Sequence, residues 1–123
     1  MIVITGGAGF IGSAIIWGLN QRGIDDIIVV DSLKQTDKYK NLVKRKFFDY
    51  IDKEKFIEGI ENGNFDSRID GIIHMGACSD TTEKNASYLI ENNYEYTKRL
   101  AQWSIKKGTV SYTHLTLPTN REV

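Results

Sequence analysis

The sequence predicts an α/β fold: a doubly wound parallel sheet, of which the N-terminal part, about four strands with their crossover helices, is present. Three observations carry this. Short β-branched runs alternate with helical segments, the first run leads straight into a glycine-rich turn, and the second run ends on an acid. A chain of 123 residues allows one domain at most.

Taken in order, Ile2-Val-Ile-Thr5 reads as a short buried strand. After the glycines, a helix is expected from about Phe10 to Arg22, with Ile11, Ile15 and Leu19 recurring every four residues and Gly23 as the stop. Asp26-Ile-Ile-Val-Val-Asp31 is a second buried parallel strand. Ser32 to Lys40 is polar and reads as a loop entering a short helix. Phe47-Phe48 is the candidate third strand, and Asp52 opens a helix with Phe56, Ile57 and Ile60 on one face. Asp70-Gly-Ile-Ile-His-Met75 is the fourth strand, and Gly76 to Lys84 a polar loop. A long helix is then expected from about Ser87 to Lys107, striped by Ile90, Tyr94, Ala101 and Ile105 and capped by Gly108.

Beyond Gly108 the pattern changes. Residues 109–123 hold the only proline, Pro118, and offer alternation but no uninterrupted apolar run where a central fifth strand is due. The string Ser111 to Thr119 also resembles a translated sequencing adapter. Residues 1–108 are therefore expected to form the domain, and 109–123 a non-native tail.

Composition narrows the function classes. Lys plus Arg and Asp plus Glu balance at 16 each, so no net basic field points to nucleic acid or an anionic membrane. One cysteine, Cys78, excludes an intrachain disulfide. The opening Met1-Ile-Val-Ile-Thr5 lacks the basic start and longer apolar run expected of a secretory signal, and no apolar stretch approaches the roughly 20 residues of a membrane span. A cytoplasmic protein is expected. No His, Cys and acid set has metal-ligand spacing.

The chemistry-bearing string is Thr5-Gly6-Gly7-Ala8-Gly9-Phe10-Ile11-Gly12. A tight strand-to-helix turn needs free backbone angles, which glycine supplies. At Gly9 a side chain would keep a pyrophosphate off the backbone, and Gly12 lets the helix pack closely. The helix N-terminus then offers unpaired N–H groups and partial positive charge to phosphates. The context is that of a Rossmann-like dinucleotide site: strand before, helix after, and an acid, Asp31, 22 residues beyond Gly9 to accept from ribose hydroxyls. Asp31 alone favours NAD, whereas Ser32, Lys34 and Lys38 could offset its charge and admit the 2′-phosphate of NADP.

After the fourth strand, Gly76 and Ala77 are small enough to let a cofactor pass, and Ser79, Thr81 and Thr82 add hydroxyls. His74 reads as a locally satisfied strand residue and Cys78 as a small packed one. Asn92-Asn93 inside a helix calls for a reason, such as one amide facing the cofactor. Tyr94-x-x-x-Lys98 has the spacing of a general acid/base pair but precedes any fifth strand, so it reads as coincidence and no catalytic residue is assigned.

These residues resemble the extended short-chain dehydrogenase/reductase superfamily and, within it, the ADP-glycero-manno-heptose 6-epimerases. The matching elements are Met1 to Gly12, Val30 to Lys34 and Asp49 to Lys53. The most discriminating are Gly76-Ala-Cys-Ser-Asp-Thr-Thr-Glu83 and Glu91-Asn-Asn-Tyr94. The resemblance covers residues 1 to about 108. It implies a nucleotide-sugar epimerase acting on ADP-heptose for the core of bacterial lipopolysaccharide, homo-oligomeric at full length. NADP (with NAD possible) would accept a hydride from C6 of the sugar and return it to the opposite face. Cofactor contacts carried over by position fall on Gly6, Gly9, Phe10, Ile11, Gly12, Asp31, Ser32, Lys38, Lys53, Met75, Gly76, Ala77, Cys78, Ser79 and Asn92. The family's catalytic tyrosine and lysine, and its sugar-binding portion, have no counterpart here, so this chain alone is expected to be inactive. The alternatives are a non-catalytic dinucleotide-binding module and another nucleotide-sugar epimerase or dehydratase.

Overall fold

The computed structural model describes residues 1–33, 37–65, 68–75, 94–108 and 110–113. Five parallel strands, β1 (Ile2–Thr5), β2 (Ile27–Asp31), β3 (Asp49–Asp52), β4 (Gly71–His74) and β5 (Val110–Thr113), form one sheet in the order β3-β2-β1-β4-β5. Helices α1 (Phe10–Gln21), α2 (Lys53–Glu61) and α3 (Tyr96–Lys107) lie between them in sequence. The strand order reverses direction between β1 and β4, and in open α/β sheets ligands bind beyond the carboxyl ends at such a reversal.

Period-two alternation in the strands divides the core. Val3, Ile28, Val30 and Ile72 pack with Phe56, Ile57 and Ile60 of α2 and Tyr96, Leu100 and Trp103 of α3. Ile4, Ile27 and Val29 pack on the opposite face with Ala8, Ile16 of α1 and Leu42. The sheet is thus covered on both sides, which explains why β2 is buried at every position. Each fully buried aliphatic such as Ile16 contributes about 1.5–3 kcal/mol.

Helix ends follow the sequence signals closely. Gly23 adopts φ 79° just past α1. Asp52 caps α2 by accepting the Glu54 N–H at 3.2 Å, an arrangement worth about 1 kcal/mol. Gly108 closes α3 in the left-handed conformation, with Lys106 and Lys107 in the last turn where cations suit the helix dipole.

Four expectations are corrected. The third strand is Asp49–Asp52, not Phe47-Phe48: Phe48 N–H bonds Ile27 O at 2.8 Å as the chain enters the sheet, but its side chain is exposed. On α1 the buried residues centre on Ile16, with Ile15 and Leu19 beside it, while Ile11 is exposed. On α3 the buried stripe is Tyr96, Leu100 and Trp103, spaced by four and three residues, and Tyr94 and Ile105 face outward. Finally, Val110–Thr113 pairs in parallel with β4 as a fifth strand. It lies at the edge of the described sheet, where alternation suffices and a continuous apolar run is not needed. The expected segments 76–93 and 114–123 lie outside the described residues.

A candidate dinucleotide site at the strand carboxyl ends

The turn after β1 is built from backbone contacts that exclude side chains. Gly6 takes φ 68° and sends its N–H to Val30 O at 2.6 Å, tying the turn to β2. A Cβ on Gly12 would lie 2.2 Å from Gly6 O and 2.8 Å from Gly7 Cα. The close packing demanded of Gly12 is therefore against the turn itself rather than against the strand. A Cβ on Gly9 would come within 3.3 Å of Gly6 O.

Accounting for the N–H groups of the turn shows what remains open. Gly7 reaches Val30 O at 3.4 Å, Gly9 bonds Gly6 O at 3.0 Å, Ser13 bonds Gly9 O at 2.9 Å, and Ala8 bonds Asp31 Oδ2 at 2.9 Å. Among the described residues no acceptor takes the N–H groups of Phe10, Ile11 or Gly12. No side chain caps α1, and its first turn holds no acid. An uncapped helix start without a competing carboxylate suits a phosphate group.

Asp31 is 7% exposed and nearly surrounded. Its Oδ1 accepts Ser32 N–H at 2.7 Å and pairs with Lys38 Nζ at 3.1 Å, while Oδ2 holds Ala8. Tyr50 donates its hydroxyl to Asp31 O at 2.7 Å. Burial is the main reason the Tyr50 hydroxyl titrates above its ordinary range, with the Asp31 charge adding to it. A carboxylate offers about four acceptor positions, so the Asp31 carboxylate can still accept from a ribose.

At the end of β4 the imidazole of His74 is locally satisfied, as expected. Its Nδ1 meets Thr5 Oγ1, its Nε2 lies 2.9 Å from Thr97 Oγ1, and its ring stacks on Tyr96 with centroids 5.9 Å apart. Burial lowers its pKa to about 4, so the ring is neutral. Tyr96 donates to Lys53 O at 2.8 Å, joining α3 to the start of α2. Met75 N–H bonds Thr5 O at 3.0 Å, fixing the exit of β4 beside the glycine turn.

The structure thus gathers Gly6, Gly9, Phe10, Ile11, Gly12, Asp31, Ser32 and Lys38 around one turn. Lys53 begins α2 at the end of β3, and Met75 leaves β4. Gly76, Ala77, Cys78, Ser79 and Asn92 lie outside the described residues. Tyr94 is exposed, with Lys98 Nζ 5.8 Å from its ring centroid, a cation–π contact. A shallow groove lined by Asp25, Asp26, Arg45, Lys46, Phe47 and Phe48 sits at the amino ends of the strands, away from this turn. Among the described residues no cluster could hold a metal ion, and no helix is long and apolar enough to cross a membrane. Sequence reasoning missed Asn41, which donates to Ala8 O in the turn, and Arg45, which donates to Ser13 O on α1; a single polar residue in a polar loop carries no periodic signal.

Fold, strand order and glycine turn define a Rossmann-type dinucleotide-binding domain. The chain belongs to the NAD dependent epimerase/dehydratase family, whose model matches residues 2–116. Over 108 residues it is 46% identical to an ADP-L-glycero-D-manno-heptose-6-epimerase of Nitratidesulfovibrio vulgaris, covering 88% of this chain and 33% of that protein. It is 52% identical to the one from Brachyspira hyodysenteriae, covering 87% and 34%. The chain therefore spans about a third of the length of the curated relatives it matches. Among solved structures it is similar to the Helicobacter pylori ADP-L-glycero-D-manno-heptose-6-epimerase (TM-score 0.75, 25% identity, 91% of this chain and 37% of that one). It is also similar to the UDP-glucose 4-epimerase of Thermotoga maritima, solved with UDP-glucose (TM-score 0.71, 28% identity, 88% and 35%).

Proposed function

We propose that this chain is the cofactor-binding N-terminal part of an ADP-glycero-manno-heptose 6-epimerase. The observation that carries the reading is the open row of N–H groups at Phe10, Ile11 and Gly12, placed beside Asp31 where the strand order reverses. The pyrophosphate of a dinucleotide rests on that first turn, and Gly9 keeps the approach clear. Asp31 and Ser32 receive the adenosine ribose. Lys38 and Lys53 supply positive charge for a 2′-phosphate, which favours NADP over NAD. Met75 and, by resemblance to the family, Gly76 to Ser79 and Asn92 are the proposed contacts for the nicotinamide half. When bound, the nicotinamide supplies a reversible hydride acceptor, so C6 of the heptose is oxidised and re-reduced with no net consumption of cofactor.

The 46–52% identity to heptose epimerases supports this substrate over the UDP-sugars of the structural neighbours. The Gly76 to Glu83 string supports it as well. By the same reading, the longer protein is a cytoplasmic homo-oligomer supplying lipopolysaccharide core precursor, and this chain alone carries out no epimerisation. The family match runs on to residue 116, past Gly108. Resequencing the coding DNA beyond codon 108 decides the nature of residues 109–123.

The test is an assay of the longer protein containing residues 1–108. The reading expects ADP-D-glycero-D-manno-heptose to be epimerised at C6 without cofactor turnover. Epimerisation of UDP-glucose with no action on the heptose would overturn it. A native downstream sequence lacking Tyr-x-x-x-Lys would favour a non-catalytic dinucleotide-binding module.

A further inference from the structure

The glycine turn is held from a second side by a residue outside the sequence-derived site. Asn41, in the 3₁₀ segment Asp37–Leu42, donates its side-chain N–H to Ala8 O at 2.8 Å. A carbonyl only accepts, so the amide nitrogen is the atom that faces it. Ala8 is wholly buried, and its N–H is taken by Asp31. Both backbone groups of Ala8 are therefore satisfied by side chains from β2 and the segment after it, rather than by helix or sheet.

The stretch from Lys38 to Arg45, which carries Asn41, is anchored at three other points. Leu42 packs in the cluster with Ala8 and Ile16, Arg45 Nε donates to Ser13 O at 2.8 Å, and Lys38 pairs with Asp31 at 3.1 Å. Ala8 lies before the N-cap of α1, Gly9, whose carbonyl accepts the first helical N–H, that of Ser13, at 2.9 Å. The Ala8 carbonyl therefore takes no helix bond, and Asn41 is the group that engages it.

We propose that Asn41 is a positioning residue for the phosphate loop. By holding the Ala8 carbonyl it keeps the peptide turned so that the first-turn N–H groups of α1 face an incoming pyrophosphate. It acts through Ala8, and the inference rests on the dinucleotide reading above. The hydrogen bond is worth a factor of about five to ten in an equilibrium constant.

The experiment compares wild type and Asn41→Ala by titration with ADP-ribose and with adenosine, which lacks the pyrophosphate, alongside amide hydrogen exchange. The expected result is an ADP-ribose Kd raised about five- to tenfold, an adenosine Kd within about twofold of wild type, and faster exchange at Ala8 and Gly9. Equal weakening of both ligands marks a general packing role and overturns the proposal, as does an unchanged ADP-ribose Kd. Asn41→Leu keeps the size without the donor or a charge and serves the same comparison should Asn41→Ala fail to fold. Folded wild type that ignores ADP-ribose overturns the dinucleotide reading itself. Wild-type binding with a silent Asn41→Ala overturns only the role of Asn41.

Discussion

The carboxylate of Asp31, at the end of β2, accepts the backbone N–H of Ala8 in the glycine turn at 2.9 Å. An acid placed for a ribose is thus already part of the architecture that shapes the phosphate loop. Asp31→Ala strands a buried N–H and removes a charge-assisted bond, so unfolding free energy drops by about 2 kcal/mol. Asp31→Asn loses less, because its amide oxygen still accepts from Ala8. The partly exposed pair with Lys38 contributes less than about 1 kcal/mol. Denaturant midpoints for the two variants rank these effects, and a silent Asp31→Ala would contradict them.

Gly12 and Gly18 lie on the same helix and have opposite tolerances. A methyl on Gly12 meets backbone atoms at 2.2 and 2.8 Å, whereas one on Gly18 meets nothing within 4 Å. Gly12→Ala is expected to cost about 1–3 kcal/mol by overpacking and to abolish nucleotide binding. Gly18→Ala is expected to stabilise by about 0.5–1 kcal/mol, since alanine is the better helix former. Thermal melts of both variants check the sign of each change.

His74 gives the chain a defined acid sensitivity. Burial holds its pKa at about 4, against 6.5 when unfolded. The unfolded state therefore takes up a proton that the folded state refuses. The stability associated with the neutral ring is complete above pH 6.5 and is lost as pH falls from 6.5 toward 4, by an amount on the order of 3 kcal/mol. In His74→Gln the slope of stability against pH over that window shrinks. An unchanged slope would show that His74 is not the group responsible.

Much of this architecture is legible in the chain itself. Ile2 to Thr5 and Ile27 to Asp31 announce strands because both faces of a parallel sheet are buried, and Gly23, Asp52 and Gly108 mark helix ends through backbone freedom or capping. Apolar content places the third strand at Phe47-Phe48, since two phenylalanines outweigh Asp49-Tyr-Ile-Asp52. The latter pairs through its backbone, with Val29 opposite Tyr50. Periodicity alone selects Ile105 for the α3 stripe, whereas Tyr96 and Trp103 meet the Phe56 cluster. The glycine turn and Asp31 were visible by spacing. The bracing by Asn41 and Arg45 was not, since each acts on a carbonyl more than 30 residues away in sequence.

Calorimetric titration of the folded chain with NADP and NAD tests the central claim most directly. The account predicts saturable one-to-one binding, tighter for NADP and lost in Gly12→Ala. A chain that keeps a native circular dichroism spectrum yet takes up neither nucleotide would contradict it.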